Sequence, residues 1–497
     1  MPLHRFVALA CTFTDSPTHF RQQETQQLNA LIAKLSSNLR DGTSFSALLK
    51  NFEVPTNPLS IHYKFFVLLQ ALAKLEQDPS NREHRREAKL ALIRLFPKAE
   101  LHTHFDGACR MDDVLAEYKR QAIEPDEKYL AKYSTFAAKT HEHELHDTVV
   151  KTFDEVFPAF LGWFEFNLKV MQTREGIITL AKGFIKQARE EGIDHLEVRF
   201  APCLHQIQGL GYDEIMDAMT EGLLQGREAY GVEVSLIAGI YRNKLDEYPN
   251  HENDTVDAVL NAAQRHAGKP VHFALDVVGY EPPNPLSDRR INEALQRYVT
   301  ERSTRDLQAN TALTLHVGEG PGCEQNIDLA LDFAEAMGNQ QIRFGHANHA
   351  TSVQLAAIEQ RQIPIESCPN SNVLLCCEPT QPTLADQPFY AWVLQNPSLK
   401  VSLSTDDSAA LGEQELSEII LELSEDSRLP VVKEGQLNPD WARVLTAGVA
   451  GGFLSDSNKA KLLADQAQRM AALDPLIALI AGRLSLEPIP QPTATVA

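Results

Sequence analysis

The sequence contains few cysteines, and none is spaced for a disulfide framework or a thiolate metal site. Seven cysteines are scattered over 497 residues, and no two form a CxxC pair. Because the count is odd and the chain is long, a reducing compartment fits best. The apolar run from Phe6 to Ala10 spans about five residues, and the apolar core of a secretion signal is longer. We therefore expect a cytoplasmic protein.

The chain also lacks long apolar segments and an excess of positive charge. No stretch approaches the ~20 consecutive apolar residues of a membrane span, so no membrane partner is expected. The formal net charge is -21, whereas nucleic-acid binding needs a cationic surface that releases counterions from phosphates. Nucleic acid is therefore not expected as a partner. The same charge disfavours a highly anionic substrate, although a local basic pocket could override the average. The hydrophobic content of 43% and the charged content of 23% are typical of globular proteins.

Residues 1–95 contain no recognisable chemistry but show a helical pattern. Apolar residues recur at spacings of three and four in 21–40, 59–77 and 82–96, which is the period of an amphipathic helix. The sequence predicts a helical N-terminal extension over 1–95. Two roles are open for it: it packs on the main body, or it contributes to a homodimer.

From residue 96 onward, short β-rich runs alternate with longer helical segments. Several runs are nearly continuous in Val, Ile and Leu, as in strands buried on both faces. The eight runs are 99–104, 194–200, 232–240, 271–278, 312–317, 342–346, 363–367 and 400–405. They predict an α/β fold, a (β/α)8 barrel of the TIM type over 96–484. The long gap after the first run predicts a helical insertion over 110–190, and the Pro/Thr-rich residues 485–497 are expected to be disordered.

Residues that bind metals or move protons stand at the ends of most of these runs. The carboxyl ends of all strands in such a barrel meet at one face, where active sites are built. His102 and His104 are two apart on a strand and therefore point to the same side. With His316 and Asp406 they offer three imidazoles and one carboxylate, which suits Zn²⁺, with Fe²⁺ or Mn²⁺ as alternatives. Such an ion would lower the pKa of a bound water toward ~7.

Two further residues at these ends have more than one interpretation. Asp276 either orients a ligand histidine, as carboxylates do at many metal sites, or stands without such a partner. His349 either braces His346 or packs in the core. The mixed Glu/His segment 140–146 is more typical of a solvated helix face than of a metal site.

Seven segments, in their order along the chain, resemble the adenosine deaminase family of the amidohydrolase superfamily. They span about 310 residues, and their HxHxDG, HxGE, GHxxH and STDD motifs together separate this family from other metal-dependent hydrolases. The segments are FPKAELHTHFDGA (96–108), LEVRFAP (196–202), ALDVVGYE (274–281), TLHVGEG (314–320), RFGHANHA (343–350), ESCPNSN (366–372) and SLSTDD (402–407).

The resemblance implies a hydrolytic deaminase that uses one zinc ion per chain. The ligands would be His102, His104, His316 and Asp406. His346 would orient the attacking water and act as general base, and Glu319 would protonate the purine ring at N1. A carboxylic acid in a dry pocket has the raised pKa that such a proton donor needs.

The resemblance also implies how a substrate would be held. Asp407 would form a hydrogen bond at N7 of the purine, and the backbone N–H of Gly279 would meet N3, since a glycine has no Cβ to obstruct a flat ring. Asp106 would bind the ribose 5′-hydroxyl. The segment 158–168 would supply an apolar lid over the ribose.

The choice of substrate depends on Asp106. Family members that act on free adenine tend to carry Glu at this position, and a monophosphate would be repelled by the carboxylate. Adenosine and 2′-deoxyadenosine are therefore favoured, with adenine or a modified purine nucleoside or nucleotide as the alternative. A catalytically idle barrel that binds a nucleoside is a further alternative. The HxE and PCxxC signature of the cytidine-type deaminases is missing, which excludes that class.

Overall fold

The strands form one sheet in the order in which they occur along the chain. The computed structural model describes residues 17–40, 43–127, 130, 164–282, 285–375, 384–412 and 414–484. Eight parallel strands pair each with the next. They are β1 (Lys98–His104), β2 (Ile193–Phe200), β3 (Glu233–Tyr241), β4 (Val271–Val278), β5 (Thr311–Val317), β6 (Ile342–His346), β7 (Ile365–Ser367) and β8 (Val401–Leu403). All eight predicted strands are confirmed, with small shifts at their ends.

The sheet closes between its first and last strands at the carboxyl-terminal edge. An isolated parallel bridge joins Thr103 of β1 to Asp406, which follows β8. The backbone N–H of Asp406 donates to the carbonyl of His102 at 2.9 Å, and the N–H of His104 donates to the carbonyl of Asp406 at 3.2 Å. The predicted (β/α)8 barrel of the TIM type is thus confirmed as a nearly closed barrel.

Helices connect successive strands and cover the outside of the barrel. β2 and β3 are buried along their whole length, because helices cover one face and the barrel interior covers the other. The helices that follow β1 are Phe105–Ala108, Met111–Arg120, Phe164–Leu168, Arg174–Glu190, Tyr212–Tyr230, His251–Arg265, Arg289–Thr304, Glu324–Ala336, Ser352–Gln360, Pro369–Leu375, Pro388–Gln395, Leu416–Ser424, Pro439–Gly451 and Asp456–Ala481.

The predicted insertion after β1 is described only in part. It begins with the helix Met111–Arg120 and ends with Arg174–Glu190. Residues 131–163, which include the 140–146 segment and the start of the 158–168 segment, lie outside the described residues. The predicted disorder of 485–497 also lies outside them.

The N-terminal extension is helical, as predicted. Its helices are α1 (Pro17–Arg40), α2 (Phe45–Lys50), α3 (Ile61–Gln77) and α4 (Arg82–Ile93). The side chains of Ser60 and Asn81 accept hydrogen bonds from the first turns of α3 and α4, which is the usual way in which a helix N-terminus is satisfied. The sequence did not predict α2, because six residues are too few to display a helical period.

Buried ion pairs attach this extension to the end of the barrel opposite the strand carboxyl ends. Arg21 of α1 lies 3.0 Å from Asp465 in the C-terminal helix. Glu24 of α1 contacts Arg189, just before β2, and lies 3.2 Å from Arg469. The extension therefore packs on the main body, which was one of the two roles left open. A homodimer through these helices stays a prediction.

Lys64 of α3 is buried where the extension meets the barrel. Its Nζ donates to the backbone carbonyl of Arg189 at 2.9 Å. Burial lowers the pKa of Lys64 to about 7, because the charged amine loses its hydration. The side chain is therefore partly neutral in the folded protein at pH 7, while it is fully charged in the unfolded chain.

In the described part of the chain, no helix is both long enough and apolar enough to span a membrane.

We predict that Lys64 makes the stability of the protein increase from pH 7 to pH 9. Between these pH values the unfolded chain binds more protons at Lys64 than the folded protein, so the free energy of unfolding rises with pH, by roughly 2 kcal/mol. In K64M this contribution is absent, and the stability of the wild type relative to K64M should increase by that amount. Chemical unfolding at both pH values measures it.

K74M is the matched control, because Lys74 is an exposed lysine of the same helix. The stability of the wild type relative to K74M should stay nearly constant over the same pH range. Equal pH dependence for the two variants would contradict the buried, largely neutral state of Lys64.

Candidate functional site

Left-handed turns follow four of the strands on the carboxyl-terminal face. Gly279 after β4 and Gly318 after β5 have φ angles of 97° and 60°. His346 at the end of β6 and Asp406 after β8 have φ angles of 60° and 62°. This region is unfavourable for residues with a Cβ, and such strain is concentrated at functional sites. The turns bring polar side chains from separate strands to one face.

The four side chains expected to bind a metal lie together. His104 Nε2 is 3.2 Å from Asp406 Oδ1 and 3.3 Å from His316 Nε2. His102 Nε2 is 3.5 Å from the same Asp406 oxygen. Asp406 thus lies within 3.5 Å of both His102 and His104, and with His316 these residues could hold one divalent ion. The ligand atoms of His102, His316 and Asp406 lie within 4.8 Å of one another, and His104 forms a second such group with Asp406 and Asp407.

His346 borders this cluster on a different side. Its Nδ1 lies 3.0 Å from Asn372 Oδ1, while its Nε2 lies 3.7 Å from Glu319 Oε1 and 4.0 Å from Asp406 Oδ2. His346 could itself join a metal site, since its ligand atom lies within 4.8 Å of those of His102, His316 and Asp406. Its contact with Glu319 distinguishes it from the other three histidines.

Two buried carboxylates orient the histidines from behind. Glu366 Oε2 lies 2.8 Å from His102 Nδ1, and Asp276 Oδ2 lies 3.0 Å from His316 Nδ1. In each case the outer nitrogen has a carboxylate beside it, so Nε2 faces the cluster, as in many metal sites. The structure therefore gives Asp276 a partner in His316, one of the histidines predicted to bind the metal.

One buried guanidinium lies between these two carboxylates. Arg199 of β2 is 2.9 Å from Asp276 Oδ2 and 2.7 Å from Glu366 Oε2. Although burial opposes it, the charges of His316 and Arg199 lower the pKa of Asp276. The sequence analysis did not assign Arg199 or Glu366. Arg199 lies in the LEVRFAP segment and Glu366 in the ESCPNSN segment. Their positions in these segments were the signal that could have identified them.

A cavity of about 640 Å³ opens beside the cluster. Most of its outer wall is apolar or aromatic, and its floor carries the polar groups. The lining residues include Phe164, Leu168, Leu204, Ile207, Tyr241, Tyr248, Val278, Gly279 and Tyr280, together with His104, Asp106, His316, Glu319, Asp406 and Asp407. Phe164 and Leu168 belong to the 158–168 segment expected to cover the ribose.

Three carboxyl groups of this cavity are protected from water. Burial raises the pKa of Glu319 well above its ordinary value, and the nearby charge of Asp406 adds to the effect. Burial and the adjacent Asp406 likewise raise the pKa of Asp407. Burial also raises the pKa of Asp106. Asp106 Oδ1 has no hydrogen-bond partner within the described residues, so this oxygen is available to a ligand hydroxyl.

The turn at Gly279 is fixed by a side chain that the sequence analysis did not assign. Asn243 lies in the 3-10 turn after β3. Its Oδ1 accepts from the backbone N–H of Tyr280 at 2.5 Å, and its Nδ2 donates to the backbone carbonyl of Tyr280 at 3.2 Å. No feature of the sequence pairs residue 243 with residue 280, because the contact exists only once β3 and β4 lie side by side.

A barrel in which histidines and an aspartate lie together at the carboxyl ends of the strands is typical of the metal-dependent amidohydrolases. A family model described as adenosine deaminase matches residues 97–468, the whole of the barrel. This chain therefore belongs to the adenosine deaminase family.

Individual relatives support this placement. An adenosine deaminase of Enterococcus faecalis is 29% identical over 380 residues, which cover 75% of this chain and 96% of that protein. The fold is similar to that of an adenine deaminase from Arthrobacter aurescens, with a TM-score of 0.57, 24% identity, and coverage of 75% and 98% of the two chains. It is also similar to an amidohydrolase from Burkholderia ambifaria with bound Zn, with a TM-score of 0.59, 19% identity, and coverage of 80% and 95%.

Replacing Gly279 by alanine should destabilise the protein by about 3 kcal/mol or more. The φ angle of 97° costs roughly 1–2 kcal/mol for a residue with a Cβ, and the added Cβ would also collide with Asn243 Oδ1 and Tyr241. The free energy of unfolding, measured with denaturant, tests this. Gly268 has a φ angle of 81° with nothing within 4 Å of an added Cβ, so G268A should show the backbone cost alone. Equal losses for G279A and G268A would mean that the Asn243 contact does not constrain this turn.

Proposed function

We propose that this protein hydrolyses adenosine, and 2′-deoxyadenosine, to the corresponding inosine nucleoside and ammonia. In this reaction water adds to C6 of the purine, and the C6–N bond to the amino group breaks. The amino group leaves as ammonia after it has gained a proton. The observation that carries the proposal is the convergence of His102, His104, His316 and Asp406 beside a cavity that also contains Glu319.

We propose that these four residues hold one Zn²⁺ per chain. The chemistry of the donors supports zinc, because nitrogen and carboxylate ligands without thiolate are typical of catalytic zinc sites. The Nε2 atom of His102 is buried without a hydrogen-bond partner in the described residues, which suits a ligand to the ion. When bound, the ion lowers the pKa of a water molecule and so supplies the attacking hydroxide. His346 is left outside the ligand set because its Nε2 also lies 3.7 Å from Glu319 Oε1, which suits a residue that moves protons.

Glu319 and His346 are proposed to move the protons. Addition of oxygen at C6 places electron density on N1, so a proton must reach N1 in the same step. Glu319 can supply it, because burial raises its pKa and so favours the protonated acid. His346 can orient the attacking water and accept its proton, since the Nδ1 contact with Asn372 directs Nε2 toward the cluster.

The remaining wall of the cavity would orient the purine. Asp407 lines the cavity beside Asp406. Burial and Asp406 raise its pKa, and it can accept or share a hydrogen bond at N7. Gly279 also lines the cavity, and its backbone N–H can donate to N3. The apolar lining on the same wall suits a flat aromatic ring.

Asp106 would select the nucleoside over related purines. Its carboxyl group lines the cavity, and one oxygen is unpartnered in the described residues. A ribose 5′-hydroxyl can donate to that oxygen, whereas a 5′-phosphate would be repelled and free adenine would leave it unsatisfied. Adenine and modified purine nucleosides or nucleotides remain the alternative substrates. The similarity to an adenine deaminase is a similarity of fold, and it does not decide between them.

A substrate panel tests the proposed function. The purified protein is assayed for ammonia release with adenosine, 2′-deoxyadenosine, adenine, adenosine monophosphate and methylated adenines. We expect the highest kcat/KM with the two nucleosides, loss of activity after chelation, and recovery with Zn²⁺. No turnover of any purine by the zinc-loaded protein would favour the idle nucleoside-binding barrel.

D106A should raise KM for adenosine by about 10- to 100-fold and change KM for adenine little. The reason is the loss of one hydrogen bond between the hydroxyl and a charged group, which contributes ~1.5–3 kcal/mol. D106N is the matched control, because it keeps an acceptor oxygen and should have a smaller effect. If D106A raised KM for adenosine and for adenine by the same factor, Asp106 would not be the residue that recognises the ribose.

A further inference from the structure

Glu281, three residues after β4, is buried completely and accepts three hydrogen bonds. Its Oε1 accepts from the backbone N–H of Gly318 at 3.0 Å and from Asn326 Nδ2 at 2.7 Å. Its Oε2 accepts from the backbone N–H of Glu319 at 2.9 Å. Both carboxylate oxygens are thus engaged, and the two consecutive backbone donors belong to the turn that carries Glu319.

The turn that carries Glu319 leaves the strand through a left-handed glycine. Because glycine adopts many backbone conformations, contacts with other residues fix the direction of this turn. β5 ends at Val317, and Gly318 then adopts a φ angle of 60°. Two successive N–H groups that point the same way form a concave site for an anion. The carboxylate of Glu281 occupies that site. Together with the backbone N–H of His349, which donates to the carbonyl of Gly318 at 3.0 Å, it fixes the direction of the turn.

The opposite side of Glu281 is also fixed. Asn326, in the helix Glu324–Ala336, donates to Glu281 and accepts from the backbone N–H of Leu286 at 3.0 Å. Asn326 is buried. Glu281 therefore joins the segment after β4, the turn after β5 and the following helix into one rigid unit.

A proton donor is effective only when it lies within hydrogen-bond reach of the atom that it protonates. A displacement of about 1 Å can reduce a rate by about 100-fold. The backbone of Glu319 is held by Glu281, and its side chain extends from that backbone into the cavity. The contacts of Glu281 therefore help to set where the carboxyl group of Glu319 lies.

We propose that Glu281 is a positioning residue that places Glu319 for proton transfer to the purine. Glu281 is absent from the cavity lining, so it acts through Glu319 and does not touch the substrate. This proposal rests on the proposed function, because it assumes that Glu319 is the proton donor.

A double-mutant cycle tests the proposal. E281Q replaces one acceptor oxygen by an NH₂ group, which cannot accept from a backbone N–H. We expect kcat for adenosine to fall about 10- to 100-fold, with KM changed less than about twofold. E319Q should reduce kcat by ~10²–10⁴-fold. In the E319Q background, E281Q should change the residual rate by less than about twofold, because the group that it positions is already absent.

E233Q is the matched control. Glu233 is a buried glutamate at the opposite end of the barrel, where it pairs with Arg227 at 2.9 Å. Any effect of E233Q on kcat should be the same in the wild-type and E319Q backgrounds. If E281Q lowered kcat by the same factor in the wild type and in E319Q, as is expected for E233Q, the proposal would be overturned. Glu281 would then support the fold in general.

N326A gives a second variant if E281Q does not fold. It removes one of the three donors to Glu281 and keeps the side chains of Glu281 and Glu319. We expect N326A to lower kcat several-fold in the wild type and to change the residual kcat of E319Q little. Thermal unfolding of each variant separates folding from catalysis. If the wild-type protein deaminates no purine, the proposed function fails, whereas an active wild type with independent effects of E281Q and E319Q rejects only the role of Glu281.

Discussion

The geometry of the candidate site depends on one buried guanidinium. Arg199 lies between Asp276 and Glu366, and these two carboxylates fix the outer nitrogens of His316 and His102. Without Arg199, Asp276 would lose its arginine partner, and Glu366 would keep only Arg343, 2.6 Å away. Removing one partner of such a buried pair typically costs ~3–5 kcal/mol. The ion pairs therefore set the direction of the histidines, and the histidines set where a metal could bind.

Around this centre, short contacts between neighbouring strand ends fix each turn separately. Asn243 holds the turn after β4, Glu281 holds the turn after β5, and Asn372 contacts the imidazole of His346 at the end of β6. The N-terminal extension attaches at the opposite end of the barrel, through pairs such as Arg21 with Asp465. The candidate site thus lies at the carboxyl ends of the strands, and the extension is attached at their other end.

The sequence predicted the parts of this structure that leave a local pattern. The eight strands were predictable because buried parallel strands are nearly continuous in aliphatic residues, and His102 with His104 because strand residues two apart share a face. The φ angles of His346 and Asp406 were not predictable, since neither is a glycine and the strain is offset by tertiary contacts. The pairing of Arg21 with Asp465, 444 residues apart, leaves no local signal, and neither does that of Asn243 with Tyr280. Arg199 lies in the LEVRFAP segment, but its partners Asp276 and Glu366 become neighbours only when the barrel closes.

The central claim is that four side chains from three separate parts of the chain share one metal ion. Anomalous diffraction from a crystal of the zinc-loaded protein, recorded at the zinc absorption edge, tests it most directly. We expect one strong peak within ~2.0–2.2 Å of the Nε2 atoms of His102, His104 and His316 and of a carboxylate oxygen of Asp406. A peak elsewhere on the molecule, or none between these four residues in a crystal of active protein, would contradict it.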